Sequence, residues 1–130
     1  MKSGSVIILA TINQQIEELT MGLDQNIVIQ KDYNKRSTRS DFESHYFRNF
    51  HALHNAIEQQ WVDRGRPGEN VYGDKNPDEL IDMGIALQAS DLEPMRHIEV
   101  PDIYKEEYDE VLTKIEQAFK DSRMVDYIAS

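Results

Sequence analysis

His51, His54 and Glu58 are separated by three and four residues in a stretch of helical apolar period, so a helix would place them in one quadrant beside Phe47. Imidazole and carboxylate groups on one face are what a divalent cation requires, and the same groups can move protons. The set is one ligand short of a closed zinc site. His45 points elsewhere on such a helix, His97 lies in a distant segment, and the zincin order His-Glu-x-x-His is absent. These residues are therefore expected to make hydrogen bonds beside the core, and no metal or cofactor is assigned.

Two further constellations weaken on inspection. Glu17, Glu18, Glu79 and Asp82 invite comparison with the all-helical nucleotide pyrophosphohydrolases, whose acidic pairs hold magnesium against a diphosphate. That family needs another acid about three positions after the first pair, where this chain has Leu19, Thr20, Met21 and Gly22. Arg64-Gly65-Arg66-Pro67 is similar to the core of an AT-hook, yet it stands once between Asp63 and Glu69, and a helix stop explains Gly65 and Pro67 without DNA. No nucleophile elbow, P-loop or dinucleotide fingerprint occurs. With no Cys in 130 residues, disulfides, thiolate catalysis and Cys-based zinc sites are excluded.

Charge is the most informative feature. The formal charge of −10 lies wholly in the second half: residues 1–68 carry 8 acidic and 8 basic side chains, whereas residues 69–130 carry 16 and 6. Such a field repels phosphate backbones and anionic membranes and favours a basic protein partner. The acids expected to steer that partner are Glu106, Asp109, Glu110 and Glu116, with Ile81 and Ile85 as apolar anchors and Met124 with Ile128 as a second apolar edge.

The elements that must position these residues follow from periodicity. Leu9, Ile12, Ile16, Leu19 and Leu23 predict an amphipathic helix within residues 5–23, with Val6 to Leu9 readable as strand or helix. Asn26 to Gln30 predicts a short strand and residues 31–41 a locally basic loop. Phe42, Tyr46, Phe50, Leu53, Ile57 and Trp61 predict one long aromatic-striped helix ending at Gly65. A loop at residues 62–76, expected to be mobile, precedes a helix that starts at Asn76-Pro77-Asp78-Glu79 and carries Leu80, Met83 and Leu87 on one edge and Ile81 and Ile85 on another. Residues 90–101 read as a connector. Tyr104, Tyr108, Val111, Leu112, Ile115 and Phe119 predict a last long helix from Asp102, with a bend near Asp121 and Ser122.

These elements imply one compact domain over residues 1–130 that is mainly α, with three to four amphipathic helices and a small two-stranded β element near the N-terminus; α+β is the alternative. No apolar run is long enough for a membrane span and none resembles a signal peptide, so a cytoplasmic location is expected. The expected function is a non-enzymatic acidic interaction protein that occupies and inhibits or regulates a larger, basic-surfaced protein, as inhibitors, immunity or antitoxin partners and viral counter-defence factors do. The alternatives are a subunit of a larger assembly such as a virion, homo-oligomers included, and a small metal-dependent enzyme or ligand-binding protein using His51, His54 and Glu58.

Overall fold

The computed structural model describes residues 22–130. The expectations for Val6 to Leu9, for the helix within residues 5–23 and for Glu17 and Glu18 lie outside the described residues.

The fold is α+β, not mainly α. Strand β1 (Asp24–Gln30) runs into a loop and a short 3-10 turn (Arg39–Asp41), then β2 (Phe42–Arg48), helix α1 (His51–Asp63), β3 (Met83–Ala86), α2 (Ala89–Arg96), a 3-10 turn (Asp102–Tyr104), α3 (Lys105–Lys120) and β4 (Val125–Ala129). The four strands form one antiparallel sheet in the order β2-β1-β4-β3. Alternation sets its faces: Gln25, Ile27, Ile29, Phe47, Met83, Ile85, Val125, Tyr127 and Ala129 point into a core shared with all three helices. Helical residues Leu53, Ile57, Trp61, Leu92, Met95, Tyr108, Val111, Leu112, Ile115 and Ala118 complete that core.

Three expected stretches, two helices and one connector, are corrected. The long aromatic helix divides into β2 and α1, separated by Asn49 in the left-handed region (φ 55). A four-residue spacing satisfies a strand as well as a helix, because four is a multiple of the strand period of two. Phe42 and Tyr46 accordingly share the sheet face opposite the core, while Phe47 and Phe50 are buried. The helix expected from Asn76 is an irregular segment followed by β3. Asn76 and Asp82 both have positive φ (51 and 59), and Met83, Ile85 and Leu87 are buried in alternation with exposed Gly84 and Ala86. The 90–101 connector contains α2, which accommodates Pro94 internally. Its first turn is closed by Asp91, whose carboxylate accepts from the Gln88 N–H at 2.7 Å, and Leu92 and Met95 are buried.

Two elements match the expectation: β1 over Asn26 to Gln30, and α3 with its stripe of Tyr108, Val111, Leu112 and Ile115 inward. The chain turns after α3 at Ser122, in the left-handed region (φ 58), and continues as β4, so Val125, Tyr127 and Ala129 enter the core while Met124 and Ile128 stay on the surface.

Candidate protein interaction surface

The His51, His54 and Glu58 cluster lies on α1, but His54 and Glu58 are committed to the fold. His54 is buried; its Nδ1 lies 2.7 Å from the Tyr127 hydroxyl and its Nε2 lies 3.5 Å from a Glu58 carboxylate oxygen. That same Glu58 oxygen accepts the Leu80 N–H at 2.9 Å. The Tyr127 hydroxyl in turn accepts from Gln25 Nε2 at 3.1 Å, and the Gln25 amide donates to the Phe50 carbonyl and accepts from the Phe50 N–H. With Glu58 at Nε2, that nitrogen carries the hydrogen and Nδ1 accepts from Tyr127. The chain from Phe50 through Gln25, Tyr127, His54 and Glu58 to Leu80 ties both central strands to the first turns of α1. Burial lowers the His54 pKa, opposed by the Glu58 carboxylate, and pushes the Tyr127 hydroxyl upward. Among the described residues no group of three or more His, Cys, Asp or Glu side chains converges on a common cation position.

The acidic residues fall into two classes. On α3, Glu106, Asp109 and Glu110 share the exposed ridge with Thr113 and Gln117, opposite the buried stripe. Glu106, Glu107 and Asp109 have no cationic partner among the described residues, whereas Glu110 lies 3.6 Å from Lys114. Glu116 is half-buried between Arg96 (3.1 Å) and Lys120 (3.6 Å), which hold its carboxyl below its ordinary pKa. It therefore joins α2 to α3 instead of facing a partner. Glu106 and Glu107 also sit in the first turn of α3, where the helix dipole favours them.

The proposed anchors sit differently. Ile85 is buried on the inner face of β3, and Ile81 is half-buried against the core. Met124 and Ile128 are 40% and 41% exposed. Among the described residues the most exposed large aliphatic side chain is one that the sequence reading passed over: Ile103, 82% exposed, in the 3-10 turn that leads into α3. Helical phase would have found it, because it lies three residues before Glu106 and one before the inward Tyr104.

Ile103 stands on a rigid base. The Tyr104 ring packs edge-on to Phe47 (5.0 Å between centroids) and stacks on Phe50 (5.7 Å), and Phe50 meets Tyr108 at 5.1 Å. The Tyr104 hydroxyl accepts from the Arg48 N–H at 3.0 Å and lies 3.1 Å from the Arg48 carbonyl. With Tyr104 fixed inward, its neighbour Ile103 projects outward. Asp102 precedes it and Glu106 and Glu107 follow three and four residues on; these and Glu99 are exposed, and Asp102 is paired to Lys105 at 2.9 Å. A shallow open depression of about 430 Å³ is lined by Ala52, Glu99, Val100, Pro101 and Asp102, the last being the residue before Ile103.

Compared with protein-family models, with curated proteins and with solved structures, the chain matches none. Among the described residues no helix is long and apolar enough to cross a membrane.

Proposed function

We propose that the protein is an acidic interaction module that binds the basic surface of a larger protein through the start of α3. The observation that carries this reading is Ile103, an exposed aliphatic side chain preceded by exposed Asp102 and followed at helical spacing by exposed Glu106 and Glu107. An apolar anchor surrounded by charge is the arrangement in which burial supplies affinity and the field supplies orientation and encounter rate. The adjacent depression suits a long basic side chain, its aliphatic stem against Val100 and Pro101 and its charge beside Glu99 and Asp102. Inhibition or regulation of the partner, in the manner of an immunity protein, antitoxin or counter-defence factor, is the corresponding physiological role.

The test compares two variants against the wild type in binding to extracts of cells that naturally express the protein, at increasing salt. Glu106→Lys with Asp109→Lys should slow association and abolish the salt dependence of capture, while Ile103→Ala should mainly accelerate dissociation. Retention of the same partner at the same salt by both variants, with unchanged circular dichroism, would refute the assignment.

A further inference from the structure

The two edges of the sheet are treated differently by the fold. β3 is only four residues long, and the preceding segment lies against its start, with the Val71 N–H bonded to the Asp82 carbonyl at 2.9 Å. β2 is seven residues long, regular in register with β1, and free of Pro, Lys and bulges; its inward-facing charge, Glu43, is held by Lys114 at 3.1 Å. Tyr104 receives and returns a hydrogen bond at the Arg48 backbone, so Arg48 directs its N–H and C=O away from β1. By strand alternation Tyr46 and Ser44 do the same, and among the described residues no backbone group pairs with them; Phe42 offers its carbonyl only, because its N–H donates to the Arg39 carbonyl. Ser44 and Tyr46 are exposed.

The order Phe42-Glu43-Ser44-His45-Tyr46 is complementary to itself when read antiparallel about Ser44. We propose that this edge is a homodimer interface in which β2 of two copies pair antiparallel across a twofold axis at Ser44, giving one continuous eight-stranded sheet. Phe42 then faces the partner's Tyr46, an aromatic cross-strand pair on the sheet face away from the helices. Ser44 meets the partner's Ser44, a hydrogen-bonded pair of small side chains on the axis. Glu43 faces the partner's His45 on the helical face. About four backbone hydrogen bonds form, two at the Ser44 pair and one at each Phe42–Tyr46 pair, where the Phe42 carbonyl accepts from the partner's Tyr46 N–H. The register also fits the edge's natural limit: Arg48, already satisfied by Tyr104, would fall opposite the partner's Ser40, which lies in the 3-10 turn and not in a strand. Charge agrees as well. The exposed loop before β2 carries Lys31, Lys35, Arg36 and Arg39 against Asp32, and antiparallel pairing brings it to the end of β2 beside which the acidic start of α3 is fastened by Tyr104. A five-residue edge buries less than the roughly 800 Å² per partner of a standard interface, so the dimer is weak and assembles at high concentration.

Sedimentation equilibrium of the purified full chain from about 1 to about 500 µM should show a rising weight-average mass. Ser44→Lys, which places like charges directly opposite at the axis, should weaken association about tenfold or more, as should Ser44→Glu, and an equimolar mixture of the two should restore it. Ser44 is exposed, and its outward N–H serves no strand of its own copy, so both variants should keep the wild-type circular dichroism. In a chain without Cys, Ser44→Cys should form an intermolecular disulfide under mild oxidation far faster than Gln117→Cys on the exposed face of α3, because an opposed pair of this kind sits within disulfide reach. A wild type that stays monomeric throughout, as it would if residues 1–21 occupied the edge, overturns the proposal. So does dimerisation unaffected by Ser44→Lys, or equal crosslinking of the two cysteine variants.

Discussion

Replacing Tyr127 by Phe removes one oxygen atom from a site with no exposure and leaves the ring, so packing is nearly conserved while the polar chain loses its middle link. Two partners are stranded: the His54 Nδ1 acceptor, 2.7 Å away, and one amide hydrogen of Gln25, 3.1 Å away. A buried group left unsatisfied costs about 1–3 kcal/mol. Gln25 retains its bonds to the Phe50 backbone and sits at the low end of that range, whereas Nδ1 has no alternative donor, so the sum is about 3 kcal/mol. For a domain of this size that corresponds to a Tm lower by roughly 10 °C. Urea unfolding near neutral pH is the assay, with an unchanged m-value as the sign that both states keep their surface. Tyr104→Phe is the comparison: its hydroxyl bonds the Arg48 backbone at the surface, where water can substitute, and its loss should stay below about 1 kcal/mol. If Tyr127→Phe costs no more than Tyr104→Phe, the network does not hold α1 to the central strands.

Other outcomes follow from single sites. Burial keeps His54 neutral in the folded state, so its folded pKa lies below the unfolded value of about 6.5. Its contribution is complete above about pH 6.5, declines as pH falls toward the depressed folded value, and changes no further below it; His54→Gln should flatten that part of the Tm-against-pH curve, and an unaltered curve would exclude His54 as the source. Asp91 is 1% exposed and holds Arg64 at 2.7 Å, so Arg64→Met, which leaves that carboxylate unpaired, should cost about 3 kcal/mol in urea unfolding. Adding Asp91→Asn should recover part of the loss; no recovery would mean that the charge is not what is being stranded. Ile103→Ala should change folding stability by less than about 0.5 kcal/mol, because the side chain is already in water, and a larger loss would contradict its placement.

What the sequence made legible depended on whether one period was unambiguous. α3 offers five inward residues at mixed spacings of one, three and four, which no strand reproduces, and it was readable almost to the residue. β2 and β3 were hidden for opposite reasons. The four-residue spacing of Phe42 and Tyr46 fits both periods, and continuity with Leu53 and Ile57 drew the strand into the helix. At β3 a strong helix start at Asn76-Pro77-Asp78-Glu79 outweighed the true alternation of Met83, Ile85 and Leu87, and nothing local announces the positive φ of Asp82. The acids of α3 were visible as composition, but their pairing was not. Only the fold separates Glu106 and Asp109, without a cationic partner among the described residues, from Glu116, held between Arg96 and Lys120.

The position of β4 between β1 and β3 bears on how the molecule is made. β3 has no other neighbour in the sheet, and β1 has β2 on one side only, until residues 125–129 arrive after α3. During synthesis the β1–β2 pair can close from local sequence, but β3 must wait in an unpaired state while some forty further residues leave the ribosome. Ile27, Ile29, Met83 and Ile85 remain without their central cover throughout that interval. The nascent chain is thus most exposed to wrong pairing just before completion of the sheet, and slowed elongation between α2 and β4 should appear as lost soluble yield even where the finished protein is stable.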